Sequence, residues 1–111
     1  MRLKGLLVTF FAVFPALAHA EFQTGNQLLK LCTAKDPFHK AECLGYVEAT
    51  MDTVDTIREM QGAKSCLPDS VDAGQLQDAV VRYLQANPTK RTAAGSALVV
   101  LTLRANWPCP K

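Results

Sequence analysis

If this chain performs catalysis through an imidazole, His39 has to supply it, because the other histidine, His19, lies just after an apolar N-terminal run, in a segment expected to be removed. A Ser-His-Asp or Cys-His site would also need a nucleophile within reach of that ring. No Gly-x-Ser-x-Gly turn is present, and that turn is how one large hydrolase class exposes its serine. His39 stands beside Lys40 and reads as a surface histidine. Glu48, Asp52, Asp55 and Glu59 are the residues that could act as paired carboxylates in acid–base work. Their three- and four-residue steps are equally the pattern of one solvated helix face, which is the reading adopted. Tyr46, Tyr83 and Trp107 could form an aromatic box but read as packing residues. Calcium-loop and phosphate-cradling glycine patterns do not occur. The residues therefore describe a binding or structural protein, with no catalytic group, no cofactor and no metal expected.

The four cysteines, Cys32, Cys43, Cys66 and Cys109, could in principle hold zinc. Structural zinc sites normally use pairs separated by two to four residues, and the closest pair here has ten residues between its members. An even count in a short chain reads instead as two disulfides, which require an oxidising compartment. The N-terminus agrees. Arg2 and Lys4 precede an uncharged stretch from Leu6 to Leu17, and Ala18-His19-Ala20 supplies the small-x-small pattern of a cleavage site. The apolar stretch is shorter than the roughly 20 residues a membrane-spanning helix needs, and no cysteine follows it to carry a lipid. Residues 1–20 are thus expected to be a signal peptide, and residues 21–111 a single exported domain in the periplasm, off the membrane once cleaved. Arg2 and Lys4 account for the whole formal excess of +2, so the remainder is balanced. That balance argues against a nucleic-acid partner, which would call for a clustered basic face.

Helical signals dominate the elements that would position these residues. Thr24-Gly25-Asn26-Gln27 has the form of a capping box, with Leu28, Leu31 and Cys32 following at helical spacing, and predicts a helix over about 25–34. Asp36-Pro37 interrupts the chain. A long helix is expected from about His39 to Gln61, with Leu44, Val47, Met51, Val54 and Ile57 apolar and Gly62 as its stop. Asp72-Ala73-Gly74-Gln75 opens a third helix carrying Leu76, Ala79, Val80, Tyr83 and Leu84. Asn87-Pro88 reads as the start of a fourth helix running to about Arg104. That helix is expected to bury a stripe of Ala94, Ala97, Leu98, Leu101 and Ala105. Val99, Val100 and Leu103, which fall elsewhere around it, suggest a homodimer through this helix.

The expected fold class is all-α, a small four-helix domain with up-down-up-down packing. In that topology Cys32 faces Cys43 across the first turn, and Cys66 meets Cys109 at the opposite end. The pairing 32–43 and 66–109 is preferred, and the loops it closes would stabilise the fold by roughly 3 and 4 kcal/mol.

Phe22-Gln23-Thr24-Gly25-Asn26 with Leu28-Leu29 and Cys32, followed by Cys43-Leu44-Gly45-Tyr46, resembles the opening of the Rap/Tai family. The likeness continues through Cys66-Leu67-Pro68, Gln75-Leu76, Tyr83-Leu84, Pro88 with Arg91, and Trp107-Pro108-Cys109. Ala49 stands where the family pattern leads one to expect glycine. The resemblance implies a periplasmic immunity protein that neutralises a peptidoglycan amidase toxin of a type VI secretion system. Such proteins are disulfide-bonded, helical, often dimeric, and occlude the toxin's active-site cleft without catalysis. On that reading the partner-binding residues are expected on the loop Gln61, Gly62, Ala63, Lys64 and Ser65, which is small, polar, flexible and pinned by Cys66. Lys64 would pair with an acidic group of the toxin. The alternative is a small periplasmic chaperone or stress-response binding protein, which would share the composition.

Overall fold

The computed structural model describes residues 23–111. The expected signal peptide lies outside the described residues. Four helices follow in order: α1 (Gly25–Thr33), α2 (Pro37–Met60), α3 (Ala73–Ala86) and α4 (Gly95–Asn106), with a short 3₁₀ turn at Pro88–Lys90. The domain is all-α as expected, and the described residues contain no strand beyond one isolated antiparallel bridge between Thr24 and Ala94.

The helix starts follow from local chemistry. Thr24 and Gln27 form a reciprocal box: the Gln27 N–H donates to Thr24 Oγ1 at 3.3 Å, and the Thr24 N–H donates to Gln27 Oε1 at 2.8 Å. Asp72 and Gln75 repeat it at α3, at 2.8 and 2.9 Å. Asp36-Pro37 does not merely interrupt the chain. Asp36 caps α2 by accepting from the His39 N–H at 3.0 Å, and Pro37 fills the first helical position, where a missing N–H costs nothing. α2 therefore starts two residues earlier than the sequence pattern predicts.

Asn87-Pro88 produces only the short turn, and α4 begins at Gly95. Asn87 provides no forward cap; its side-chain amide donates back to Tyr83 O at 2.9 Å and closes α3. The decisive contact is remote. The chain around 91–95 runs beside residues 23–26, with Gly25 N–H on Ala93 O (3.0 Å), Asn26 N–H on Arg91 O (2.9 Å) and Gly95 N–H on Gln23 O (2.6 Å). The first N–H groups of a helix have no partner within it. Here the starts of α1 and α4 supply each other's acceptors through their flanking residues.

The core draws on all four helices: Leu28 and Cys32 from α1, Val47 and Met51 from α2, Leu76, Val80 and Leu84 from α3, and Leu98, Val99 and Leu103 from α4. Thr102 is also buried, its hydroxyl donating to Leu98 O at 2.8 Å. The expected facing of α4 is corrected. Val99 and Leu103 are core residues, whereas Ala94, Ala97, Leu101 and Ala105 are exposed. Only Leu98 of the predicted stripe is buried, because a helix apolar on most sides leaves the choice of inward face to its neighbours. Both expected disulfides are present, Cys32–Cys43 and Cys66–Cys109, with Cα–Cα distances of 5.0 and 4.2 Å.

Gly25 is where the α1 start meets α4. A methyl group there would run into the Leu98 side chain and come within 2.9 Å of Arg91 Cα. Gly45, in the middle of α2, has nothing within 4 Å of the same position. In urea unfolding, Gly25→Ala is expected to destabilise the domain by about 1–3 kcal/mol. Gly45→Ala should stabilise it by about 0.5–1 kcal/mol through helix propensity alone. Equal effects of the two changes would contradict the clasp.

Candidate functional site

The C-terminal end of α2 is built as a rigid corner. Gly62 adopts φ +73°, open to glycine without a Cβ penalty, and turns the chain out of the helix. The Gly62 N–H donates to Glu59 O and the Ala63 N–H to Arg58 O, both at 2.9 Å, which is the double bond pattern of a Schellman motif. Arg58 Nε then donates to Lys64 O at 2.8 Å. Asp55 accepts from the Ser65 hydroxyl and, at 3.4 Å, from the Cys66 N–H. The Ser65 hydroxyl oxygen in turn accepts the Leu67 N–H at 3.1 Å. Gln61, Gly62, Ala63, Lys64 and Ser65 thus stand together at one end of the bundle, beside Cys66–Cys109. The flexible loop expected from its composition is instead braced along its length. Gln61, Gly62 and Lys64 are exposed; Ala63 and Ser65 are partly buried.

Next to this loop a groove of about 310 Å³ is floored by Met51, Val54, Ile57, Val100 and Leu103. Trp107 and Cys109 close one side, and Arg58 and Arg104 border it. Both arginines lie in the last turns of their helices, where a positive charge complements the carbonyl end of the helix dipole. Ile57 is 50% exposed and Met60, directly before the loop, is 83% exposed. Ala49 lines a shallower groove between α2 and α4 with Tyr46, Thr53, Ala97 and Val100.

The other candidates distribute differently. His39 lies at the opposite end, in the first turn of α2, with Nδ1 2.7 Å from Asp36 Oδ2. This is half of a triad geometry, yet the one hydroxyl lining the neighbouring cleft, Thr33, is spent on Leu29 O at 2.7 Å. No free thiol exists among the described residues. Glu48, Asp52 and Glu59 are exposed as expected, but Asp55 is partly buried and structural. Its signal was legible: Asp55 continues the four-residue steps of Val47 and Met51, so it belongs to the flank of the buried stripe. Tyr46, Tyr83 and Trp107 each pack against the core from a different element and form no shared box. Among the described residues no three His, Cys, Asp or Glu side chains gather as a metal site. No helix there is long and apolar enough to cross a membrane.

Two measurements probe these placements. Asp55→Ala should cost about 1–3 kcal/mol, the range for a buried donor losing its partner, and should speed amide exchange at Cys66. Asp52→Ala, one turn earlier on the exposed face, should stay within about 0.5 kcal/mol. The second concerns acid. The His39 N–H, followed by the His39 side chain, holds the Asp36 carboxyl below the usual carboxylate range. Its stabilising contribution is fully present above the unfolded value of about 3.9 and fades as pH falls through the lower folded value. Asp36→Ala should remove that segment of the acid-unfolding curve and leave the neutral-pH region flat.

Residues 24–109 match the family described as Rap1a immunity proteins. No curated protein and no solved structure matches the chain. The match runs from the capping threonine of α1 to the last cysteine, so it spans every element described above, and the chain belongs to the Rap1a immunity protein family.

Proposed function

We propose that this protein is exported by residues 1–20 to the periplasm and there binds and occludes the active site of a peptidoglycan amidase toxin delivered by type VI secretion. The observation that carries the reading is the family match over residues 24–109. Two features of the molecule support it. Two disulfides suit an oxidising compartment. The end of the bundle also presents a braced corner whose exposed cation, Lys64, stands near an apolar groove. An inhibitor that works by obstruction needs shape and charge, and no catalytic group. The residues placed in contact with the toxin are Gln61, Gly62, Ala63, Lys64 and Ser65. A rigid loop loses little conformational freedom on insertion, which favours affinity. A homodimer belongs to the same reading. With Val99 and Leu103 inside the core, its contacts fall to Ala97, Val100 and Leu101 on the outer side of α4.

The test is direct. The reading frame adjacent to its gene should encode a secreted peptidoglycan amidase; the purified protein is added to that enzyme, and peptidoglycan hydrolysis is followed. Stoichiometric inhibition is expected, with Lys64→Glu weakening it by about tenfold or more, the loss typical of a severed interfacial charge contact. Absence of inhibition, together with protection of an unrelated client from acid aggregation, would overturn this reading in favour of a chaperone.

A further inference from the structure

The two disulfides live in different surroundings. Cys32 and Cys43 are 7% and 0% exposed and belong to the core. Cys66 and Cys109 are partly exposed and bound the groove at the candidate site. The two sides of that second bond are also held unequally. On the loop side, the Schellman turn, the Arg58–Lys64 contact and the Asp55 contacts keep residues 61–66 on α2 whether or not the sulfurs are joined. On the tail side, the only hydrogen bond that residues 107–111 make among the described residues is Trp107 N–H to Leu103 O, at 2.8 Å. Trp107 is partly buried against the core and forms one wall of the groove. Cutting the bond therefore leaves the loop in place and leaves the tail held by the Trp107 contacts alone.

We propose that Cys66–Cys109 is a redox latch on the partner-binding end, opened by a dithiol reductant and closed again by the corresponding disulfide. A thiolate of the reductant attacks one sulfur of the bond and the other leaves as a thiolate. The reductant's second thiol then displaces the first protein sulfur from the mixed disulfide. The reductant ends as a cyclic disulfide, and two electrons and two protons pass to Cys66 and Cys109, which become thiols. Access decides which disulfide reacts first, so the core pair stays joined and the four helices remain packed. With the latch open, Trp107 leaves the floor formed by Met51, Val54, Ile57, Val100 and Leu103, and the groove becomes an open apolar face. The latch itself stands on the structure alone; its effect on inhibition rests on the immunity reading.

Trp107 is the only tryptophan, so its emission reports the tail directly. The disulfide-bonded protein is exposed to dithiothreitol without denaturant, free thiols are alkylated at intervals, and the labelled cysteines are identified by mass. Cys66 and Cys109 should appear about tenfold sooner than Cys32 and Cys43, as their accessibility dictates. Trp107 emission should shift to the red in the same phase while far-ultraviolet helicity is retained. Release of all four thiols together, release of the core pair first, or loss of helicity with the first pair would each overturn the proposal. The variant Cys66→Ser with Cys109→Ser should show the red-shifted emission without reductant and no further change at low dithiothreitol. Unshifted emission in a folded double variant would mean that something else holds the tail, and would also overturn it. If that variant does not fold, the wild-type time course decides alone. In the amidase assay, protein reduced only at the latch should inhibit about tenfold less, as expected when one wall of a binding surface is lost. Equal inhibition by both forms would sever the latch from the site, whereas failure of the oxidised form to inhibit would count against the immunity reading and not against the latch.

Discussion

The arrangement depends on one exchange of backbone hydrogen bonds. A helix start carries N–H groups with no internal acceptor, and burying such a start without partners is costly. In this domain α1 and α4 begin side by side. Ala93 O and Arg91 O receive the first donors of α1, and Gln23 O receives the first donor of α4. Thr24 and Ala94 have to be extended where the two segments meet, which is why α4 cannot begin before Gly95. They also have to lie close, which is why Gly25 has no room for a side chain. Once this contact is made, the register of α4 follows, and with it the inward position of Leu98, Val99, Thr102 and Leu103.

That dependence separates what could be read along the chain from what could not. The starts of α1 and α3 were legible because both ends of a capping box lie within four residues of each other, at Thr24–Gln27 and Asp72–Gln75. The preferred disulfide pairing was legible because Cys32 and Cys43 flank one short connection, which leaves Cys66 and Cys109 to each other. The start of α4 was not. Asn87-Pro88 carries a genuine local start signal, but a pairing with residues some seventy positions away outweighs it. The inward face of α4 was hidden for a different reason: apolar side chains surround it, so its own periodicity does not choose a side. The family was legible from ordered short motifs spread over the whole domain. The mechanical character of the loop was not: spacing sets Asp55 on the flank of the buried stripe, but nothing along the chain pairs it or Arg58 with residues 64–66.

The candidate site inherits its stiffness from α2. A corner that is small and polar in composition would ordinarily be the least ordered part of a helical bundle. Here the helix's own termination, one arginine and one aspartate hold it. The groove beside it has a different origin, lying between α2 and α4 where the chain runs through Trp107 to reach Cys66. A braced corner and an apolar hollow thus adjoin at one pole, while at the other Asp36, beside His39, caps the start of α2.

The clasp between residues 23–26 and 91–95 also sets an order of assembly. A chain that emerges gradually, amino end first, presents its opening helix long before the segment that will receive it. Until nearly the whole polypeptide has come through, the Gly25 and Asn26 N–H groups lack their acceptors and Leu28 has no Leu98 to pack toward. Folding of this topology is consequently a late event, completed almost at once when the final helix arrives. The preceding interval is the time in which a helper protein would find the chain still unclosed.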